Sequence, residues 1–539
     1  MHLLFFLLLR ALDFFNPSPP IIVARDTTYI TAPLGRDGLP DYEKYWLQTV
    51  RKGVTPENNA CALLWQAVWP EKFDPADSEL MRSELGLKQL PPAKDALQNV
   101  YGEANEERIR AWLQAQGLSH DDASVDKIFD LADGHPWTAQ QFPPLADWVR
   151  ENEGLLDLVV KASHRPRYYA PSPSLLDKYR SPLVAMLLPG GLGARHAASS
   201  LRTRATLRVG ENRLNEAWSD LFAIHRLARL QKQGRTLVEQ FETASISAIA
   251  CDGTVVLLSS DRITPELSRQ IMHDLAGLGN AADFVDSLDH YERLQTLDSI
   301  IDISRHGPIA VLTSKDSLKR FLFWITPIDR NIVLRHVNQW YDRIVEVLKL
   351  QDRDEQKREL AKLTADMAAE AQATKTQANI DAMILSRTHK SEYVAWFAWT
   401  LLKPDIDDAI AMELRTRTTS QLTRLAAALA VFRAEHRAYP AKLDELVPAI
   451  IHKLPVDLYS FKPFVYKRTD DGYLLYSLGD NGTDDGGDNE KMGLAAGHPF
   501  EDLKNAAKSQ PKIAATADDI AIRVPRAPFQ LPKAAAVPE

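Results

Sequence analysis

Cysteine is the scarcest chemistry-bearing residue in this chain, since only Cys61 and Cys251 occur among 539 residues. Each lies in an apolar stretch with helical spacing, where a free cysteine behaves as a small hydrophobic side chain. Two cysteines so far apart exclude a disulfide framework of the kind that small secreted domains use. They also exclude a metal site built from closely spaced cysteines.

An excess of positive charge is also missing. Lys and Arg number 64 against 72 Asp and Glu, so the formal net charge is −8. No basic stripe is visible, and nucleic acid is therefore disfavoured as a partner. Apolar residues make up 45% and charged residues 25%, as in ordinary globular proteins, so most of the chain is expected to fold. This length predicts about two to four domains.

The familiar catalytic motifs are absent from the sequence as well. It contains no Gly-rich phosphate loop, no His-Glu-x-x-His and no Gly-x-Ser-x-Gly. Gly190–Gly193 lacks the lysine of a phosphate loop and follows no predicted strand. An enzyme is not excluded, because catalytic groups can converge from distant positions in a chain.

Long apolar runs are scarce too. The first nine residues are apolar except for His2, but this run is far shorter than the roughly 20 residues that span a bilayer. Two interpretations compete: the remnant of a signal anchor within residues 1–25, and a buried N-terminal helix. We favour the signal anchor, because a run this apolar at a terminus is hard to bury. No other segment is expected to be long and apolar enough to cross a membrane, so membrane contact is expected only through the N-terminus.

Apolar residues between about 41 and 400 recur with a helical period, and hairpin signals are absent there. The sequence therefore predicts a mainly α fold, a multi-helix array of helical hairpins with a small C-terminal α+β module. The hairpins are weakly similar to tetratricopeptide arrays, without a fixed repeat period. We predict an N-terminal helical region at 26–165, a central helical array at 166–400, an α+β module at 401–526 and a disordered Pro/Ala-rich tail at 527–539.

Helix starts can be read from capping residues. Thr55 followed by Pro56, and Thr264 followed by Pro265, each place a capping hydroxyl before a proline that suits the first helical turn. Further helices are predicted at Glu106–Gln116, Leu145–Ala162, Arg213–Leu230, Thr236–Leu258, Ala281–Ile303 and Ile332–Leu348. A Pro-rich interruption at Pro166–Pro173 and a Gly-rich one at Gly190–Gly193 are predicted to separate the two helical regions.

The last module changes character. A long helix with Leu422, Leu425 and Leu429 on one face ends before Pro440, and a short helix is predicted at Ala441–Ile451. Phe464–Arg468 and Tyr473–Leu478 read as a hairpin joined by a Gly-containing turn. Ile520, Ile522 and Val524 alternate and stop at Pro525, which predicts a short edge strand.

The most distinctive stretch follows that hairpin. Tyr476–Asp488 contains four aspartates, an asparagine and four glycines. Glycines let a loop fold back tightly, so several oxygens could converge on one hard cation and relieve the repulsion between carboxylates. A bound calcium ion is one interpretation, and a solvated turn with its charges facing water is the other. The spacing does not match the twelve-residue EF-hand loop.

The order of elements in the last module resembles the major pseudopilins of type II secretion. The resemblance rests on Ala434–Pro440, Leu454–Asp457, Pro463–Tyr466 and above all Tyr476–Gly482 with Gly486-Gly487, and it covers about 100 residues. In that family the loop binds calcium, which implies a ligand set of the Leu478 carbonyl with Asn481, Asp484, Asp485, Asp488 and Asp519. Asn481 stands where the family usually has aspartate, and this neutral oxygen should weaken binding. An insertion, Asn489–Ala517, separates the loop from Asp519.

The upstream part looks like a family of uncharacterised bacterial envelope proteins that end in the same module. Its matching segments are Gly53–Ala60, Glu151–Glu153, Arg165–Tyr169 and Leu207–Glu211. The resemblance implies a location in the cell envelope or periplasm, and it implies no activity.

Two classes of function remain open. The first is a non-enzymatic envelope protein whose helical region binds a protein partner and whose C-terminal module is stabilised by calcium. The second is an envelope hydrolase with a site near His336, Asn338 and Asp342, which share one predicted helix. His164–Tyr169 could also hold an anion or a sugar, although its cations could equally satisfy a helix end while its tyrosines pack in the core.

Overall fold

The computed structural model describes residues 18–68, 75–88, 96–171, 190–279, 283–306, 327–350, 352–377, 386–404, 406–488, 517–526 and 529–534. The predicted fold class is confirmed: the chain is mainly helical, with a small antiparallel sheet near its C-terminus. The apolar run predicted as a signal anchor and nearly all of the predicted insertion lie outside the described residues.

The helices are numbered in chain order. They are α1 (Tyr42–Val50), α2 (Ala60–Ala67), α3 (Pro75–Glu84), α4 (Glu103–Ala115), α5 (Asp122–Gly134), α6 (Pro143–Glu151), α7 (Glu153–Ser163), α8 (Gly190–Gly210), α9 (Leu214–Gln231), α10 (Leu237–Leu258), α11 (Pro265–Gly277), α12 (Phe284–Ser287), α13 (Arg293–His306), α14 (Arg330–Leu348), α15 (Arg353–Gln377), α16 (Arg387–Leu402) and α17 (Ile406–His436). A π-helical segment, Leu288–Glu292, joins α12 to α13.

Capping explains where several helices begin. Thr236 and Glu239 form a reciprocal capping box at the start of α10, and Thr264 caps α11 as predicted. The predicted start at Thr55 is wrong. Residue Asn59 caps α2 instead, because its side chain accepts a hydrogen bond from the Cys61 N–H at 3.1 Å.

Two predictions are also wrong about where a helix continues and where it is interrupted. The segment predicted as one helix from Leu145 is divided between α6 and α7 at Asn152, whose side chain donates to the Trp148 carbonyl at 2.8 Å. Gly190–Gly193 is not an interruption of helical structure, since it forms the first turn of α8.

Two apolar cores lie side by side in the helical body. The first joins α2–α11 to the second half of α17 and to the sheet, and the second joins α1, α12–α16 and the start of α17. Helices α10 and α17 take part in both, because Leu237 and Ile406 lie in the second core while Leu257 and Leu429 lie in the first. The first core therefore contains side chains from all three predicted regions.

Helix α10 is, among the described residues, the one helix long and apolar enough to cross a membrane. The sequence-based prediction had found no such segment beyond the N-terminus, and it is wrong in that respect. Of the apolar window in α10, 72% is buried inside the protein, against α8, α9 and α17. Burial on this scale is typical of the central helix of a protein core.

The C-terminal sheet has the order β1-β2-β3, with β1 at Val465–Arg468, β2 at Tyr473–Ser477 and β3 at Ile520–Val524. Both pairs are antiparallel, with Val465 opposite Tyr476 and Ser477 opposite Ile520. The predicted hairpin and edge strand are therefore confirmed. All five residues of β2, the central strand, are buried. The acidic loop follows directly at the end of this strand.

Two predictions for this module are wrong. The short helix expected from Ala441 is reduced to a single 3₁₀ turn, Leu443–Leu446. The tail predicted to be disordered is docked over residues 529–534: the Phe529 ring stacks on Phe142 with centroids 5.3 Å apart, and Ser119 N–H donates to the Lys533 carbonyl at 2.9 Å. A single aromatic side chain supplies apolar burial that the Pro/Ala-rich composition did not indicate.

Candidate functional site

The acidic loop begins where β2 ends, and its backbone demands glycine. Gly479 has φ +63°, and a Cβ at this position would lie 2.3 Å from the Asp518 carbonyl oxygen. A side chain here would therefore collide with the chain that enters β3. Gly479 brings the loop and residues 518–519 into direct contact, although about 30 residues of sequence separate them.

Carboxylates of the loop accept hydrogen bonds from backbone and amide N–H groups. One oxygen of Asp485 accepts from the Asn481 side chain at 3.0 Å and from the Asp518 N–H at 3.1 Å. One oxygen of Asp519 accepts from the Asp485 N–H at 3.1 Å and from the Gly487 N–H at 2.8 Å. These bonds fasten the loop to the start of β3 on both sides.

The structure brings most of the predicted ligands together, but not all. Asn481, Asp484, Asp485 and Asp519 lie in this hydrogen-bonded loop, with Asp484 accepting from the Tyr476 hydroxyl at 2.7 Å. The carboxylate of Asp488 turns away. Its side chain is 78% exposed and lies 3.8 Å from the Arg523 guanidinium.

Two aspartates that the sequence reasoning did not assign to the site take part in it. Both oxygens of Asp518 accept backbone N–H groups of the loop, including that of Asp480 at 3.2 Å. The buried Asp457 accepts from the hydroxyls of Ser477 and Ser460, each at 2.7 Å, and from the backbone at the start of the loop. Asp457 is the last residue of Leu454–Asp457, one of the segments on which the resemblance to pseudopilins rests. That segment was the sequence signal that could have identified Asp457 as part of the site.

Burial and neighbouring like charges both act on the carboxylates at the loop. Asp519 is fully buried, and its pKa is raised by that burial and by the neighbouring charges of Asp485 and Asp484, against the opposing hydrogen bond from Gly487. As the side chains stand, no three acidic, histidine or cysteine side chains in the described part of the chain are placed to hold a metal ion together. Backbone N–H groups occupy oxygens that a cation would need.

The second candidate site, on α14, does not assemble. Asn338 is buried and donates to the Thr27 carbonyl at 2.6 Å, while Asp342 accepts from the Arg293 guanidinium at 2.6 Å. His336 lies on another side of the helix, with its Nε2 3.4 Å from Glu370 of α15.

Burial lowers the pKa of His336, and the Glu370 charge opposes that shift only in part. The three predicted residues therefore do not share one site. Instead, two of them fasten α14 to the N-terminal segment and to Arg293, and the third faces α15.

The stretch His164–Tyr169 is also used in structural contacts. Arg165 donates to the carbonyls of Pro56 and Asn59 at 2.9 and 2.7 Å, and Tyr169 is buried with its hydroxyl 3.0 Å from the Arg51 Nε. The interpretation that the tyrosines pack in the core agrees with this geometry. Arg165 satisfies carbonyls of the turn before α2, however, rather than those of its own helix.

Comparison with models of protein families, with curated proteins and with solved structures finds no significant match for this chain.

Proposed function

We propose that this chain is a non-enzymatic protein of the cell envelope, with a helical body that binds a protein partner and a C-terminal module stabilised by calcium. The observation that supports this proposal is the use of the polar groups on α14. Asn338 is hydrogen-bonded to the Thr27 carbonyl and Asp342 to Arg293, so neither is placed beside His336 to act on a substrate. The envelope location rests on the family resemblance of the sequence.

The calcium part of the proposal is supported by the proximity of Asp484, Asp485 and Asp519. Burial and the charges of the two neighbours raise the pKa of Asp519, so a cation would relieve an existing repulsion. The Leu478 carbonyl and Asn481 would complete an oxygen site, and Asp488 would join only if it left Arg523. Asp485 and Asp519 would exchange backbone hydrogen bonds for the ion.

Calcium at about 5 mM should raise the free energy of unfolding of the full chain by about 1–2 kcal/mol, because a dissociation constant in the range of about 10⁻⁴–10⁻³ M is typical of extracellular modules. The measurement is urea unfolding with calcium, with magnesium and with a chelator. The double substitution Asp484→Asn with Asp485→Asn should abolish the calcium effect.

A matched control is Asp470→Asn with Asp471→Asn, which removes two charges from the exposed turn between β1 and β2. This control should keep the calcium effect. An equal response to magnesium, or a response that survives in the loop variant, would show that calcium does not bind at this loop.

The partner is tested by capture from an envelope extract with the full chain as bait, with calcium and with a chelator. We expect a protein that is retained with calcium. A capture that yields no protein, together with turnover of a glycan or peptide library that His336→Ala abolishes, would favour the hydrolase instead.

A further inference from the structure

Helix α15 is held to the helical body by few buried side chains. Its main neighbours are α14 and α16. Among the side chains of α15 that the structure describes, only Gln356 and Leu363 are buried, whereas α14 buries nine residues along its length. A helix that buries so little apolar surface opens locally at a lower free energy than the core helices.

The contacts between α15 and α14 are complementary in charge. Arg343 of α14 forms an ion pair with Asp366, and the Trp340 indole N–H donates to the Glu370 carboxylate at 3.0 Å. The Leu363 side chain packs into the second apolar core. Leu363, Asp366 and Glu370 are spaced three and four residues apart, so they share one face of α15.

Next to this face of α15 lies a pair of tryptophans. The rings of Trp340 on α14 and Trp399 on α16 stack with their centroids 6.1 Å apart, and both side chains are buried. The Arg343 guanidinium lies 4.6 Å from the centroid of the Trp340 ring. Removal of α15 would therefore expose an apolar surface beside a cation, which suits an amphipathic helix with acidic side chains.

Helix α15 does not satisfy every polar atom in this region. His336 Nε2 lies 3.4 Å from Glu370 but forms no hydrogen bond with it. The buried Trp399 indole N–H has no hydrogen-bond partner among the described residues. Buried polar atoms without partners cost free energy, so a helix with acceptors at these points would gain hydrogen bonds that α15 does not make.

We propose that α15 is a displaceable cover over a groove between α14 and α16, and that this groove takes an amphipathic helix of a protein partner. The partner helix carries an apolar side chain in the place of Leu363 and carboxylates in the places of Asp366 and Glu370. The inference rests on the proposed function, in which the helical body binds a protein, and it names the surface and the chemistry of the partner.

The test is an exchange of α15 for a fluorescently labelled peptide of the same sequence, residues 353–377. The full-chain variant Leu363→Glu with Asp366→Arg loses an apolar and an ionic contact of α15, so its own helix should leave the groove. The peptide should bind this variant at least about tenfold more tightly than the wild type, where the tethered α15 competes for the groove at high effective concentration. Fluorescence anisotropy measures the binding.

Two controls make the exchange specific. The full-chain variant Thr364→Glu with Ala368→Arg introduces the same side chains at exposed positions of α15, and it should bind the peptide as weakly as the wild type does. A peptide that itself carries Leu363→Glu and Asp366→Arg should bind none of these chains. Equal binding of the peptide by the wild type and the released variant, or equal binding of the two peptides, would overturn the proposal.

The released variant must keep its fold, which circular dichroism and urea unfolding check. If it does not fold, Asp366→Lys with Glu370→Lys takes its place, because both side chains are partly exposed, at 46% and 29%, and the apolar contact of Leu363 stays. This second variant should also bind the peptide more tightly than the wild type, and a failure to do so would overturn the proposal.

Capture from an envelope extract separates this inference from the proposed function. The released variant should retain more of the partner than the wild type, and an excess of the unlabelled peptide should displace it. A partner that both chains retain equally and that the peptide does not displace would overturn the inference and leave the proposed function standing. Capture of no protein by either chain, together with tight binding of the peptide, would count against the proposed function and support the groove.

Discussion

Helix α8 buries positive charge with partners, whereas the start of α10 buries negative charge without them. Arg204 and Arg208 of α8 both contact Asp220, at 2.6 and 2.7 Å, and all three are buried. At the start of α10, Glu239 and Glu292 receive hydrogen bonds from Thr236 and from the Leu237 N–H, and no cation in the described residues forms an ion pair with either.

The two regions compensate in different ways for the free-energy cost of burying a charged side chain. A guanidinium pair on one carboxylate keeps its charges because each donor finds an acceptor. Glu239 and Glu292 lack such a pair, so burial raises the pKa of each to about 7 and each can take up a proton near neutral pH. Buried charge is therefore retained only where the fold supplies the opposite charge.

The largest expected effect comes from breaking the paired region. Asp220→Asn should lower the free energy of unfolding by about 3–5 kcal/mol, because two buried guanidinium groups lose their common counter-charge. Urea unfolding of the variant measures it. Asp157→Asn is the matched control, since Asp157 contacts the same Arg204 at 2.8 Å but is 54% exposed. This control should cost about 1 kcal/mol or less, and equal costs for both variants would contradict the account.

The unpaired region should make stability depend on pH. A carboxyl whose pKa is higher in the folded state binds its proton more tightly there. The stability that it contributes is complete below its unfolded value near 4.5 and is lost as the pH rises through 7. For Glu239 the loss is about 3 kcal/mol.

Urea unfolding at pH 5 and pH 8 tests this expectation. The wild type should be less stable at pH 8, and Glu239→Gln, which stays neutral, should reduce that difference. If the stability of Glu239→Gln differs between pH 5 and pH 8 as much as that of the wild type, Glu239 does not cause the pH dependence.

The smallest effect is expected at the surface. Arg213 contacts Glu216 at 2.6 Å and Glu211 at 3.4 Å, and its side chain is 40% exposed. Its hydrogen bond to Glu216 raises the pKa of Arg213 strongly, yet solvent screens the pair. Arg213→Gln should change the free energy of unfolding by less than about 1 kcal/mol in thermal and urea unfolding. A loss comparable with that of Asp220→Asn would contradict the distinction between buried and exposed pairs.

Local signals in the sequence predicted the elements well where local physics decides. The capping threonine of α11 and the turn between β1 and β2 lie within a few residues of what they control. Predictions failed where a distant residue decides. The docking of residues 529–534 depends on Phe142, nearly 400 residues earlier in the chain.

The same distinction between local and distant residues applies to the candidate sites. The loop after β2 was readable, because glycines and aspartates alternate within one short stretch. The contribution of Asp518 was not readable, since its partners lie more than 35 residues earlier in the chain.

By itself the sequence determined the mainly helical class, the three-stranded C-terminal sheet and the position of the acidic loop. These follow from periodicity, capping and turn chemistry, which act over a few residues. Only the tertiary structure decided that α10 lies in the core, that His336 is separated from Asn338 and Asp342, and which buried charges are paired. Those outcomes depend on which distant side chains are buried together. Removing a charge from water costs free energy unless an oppositely charged or hydrogen-bonding partner lies beside it.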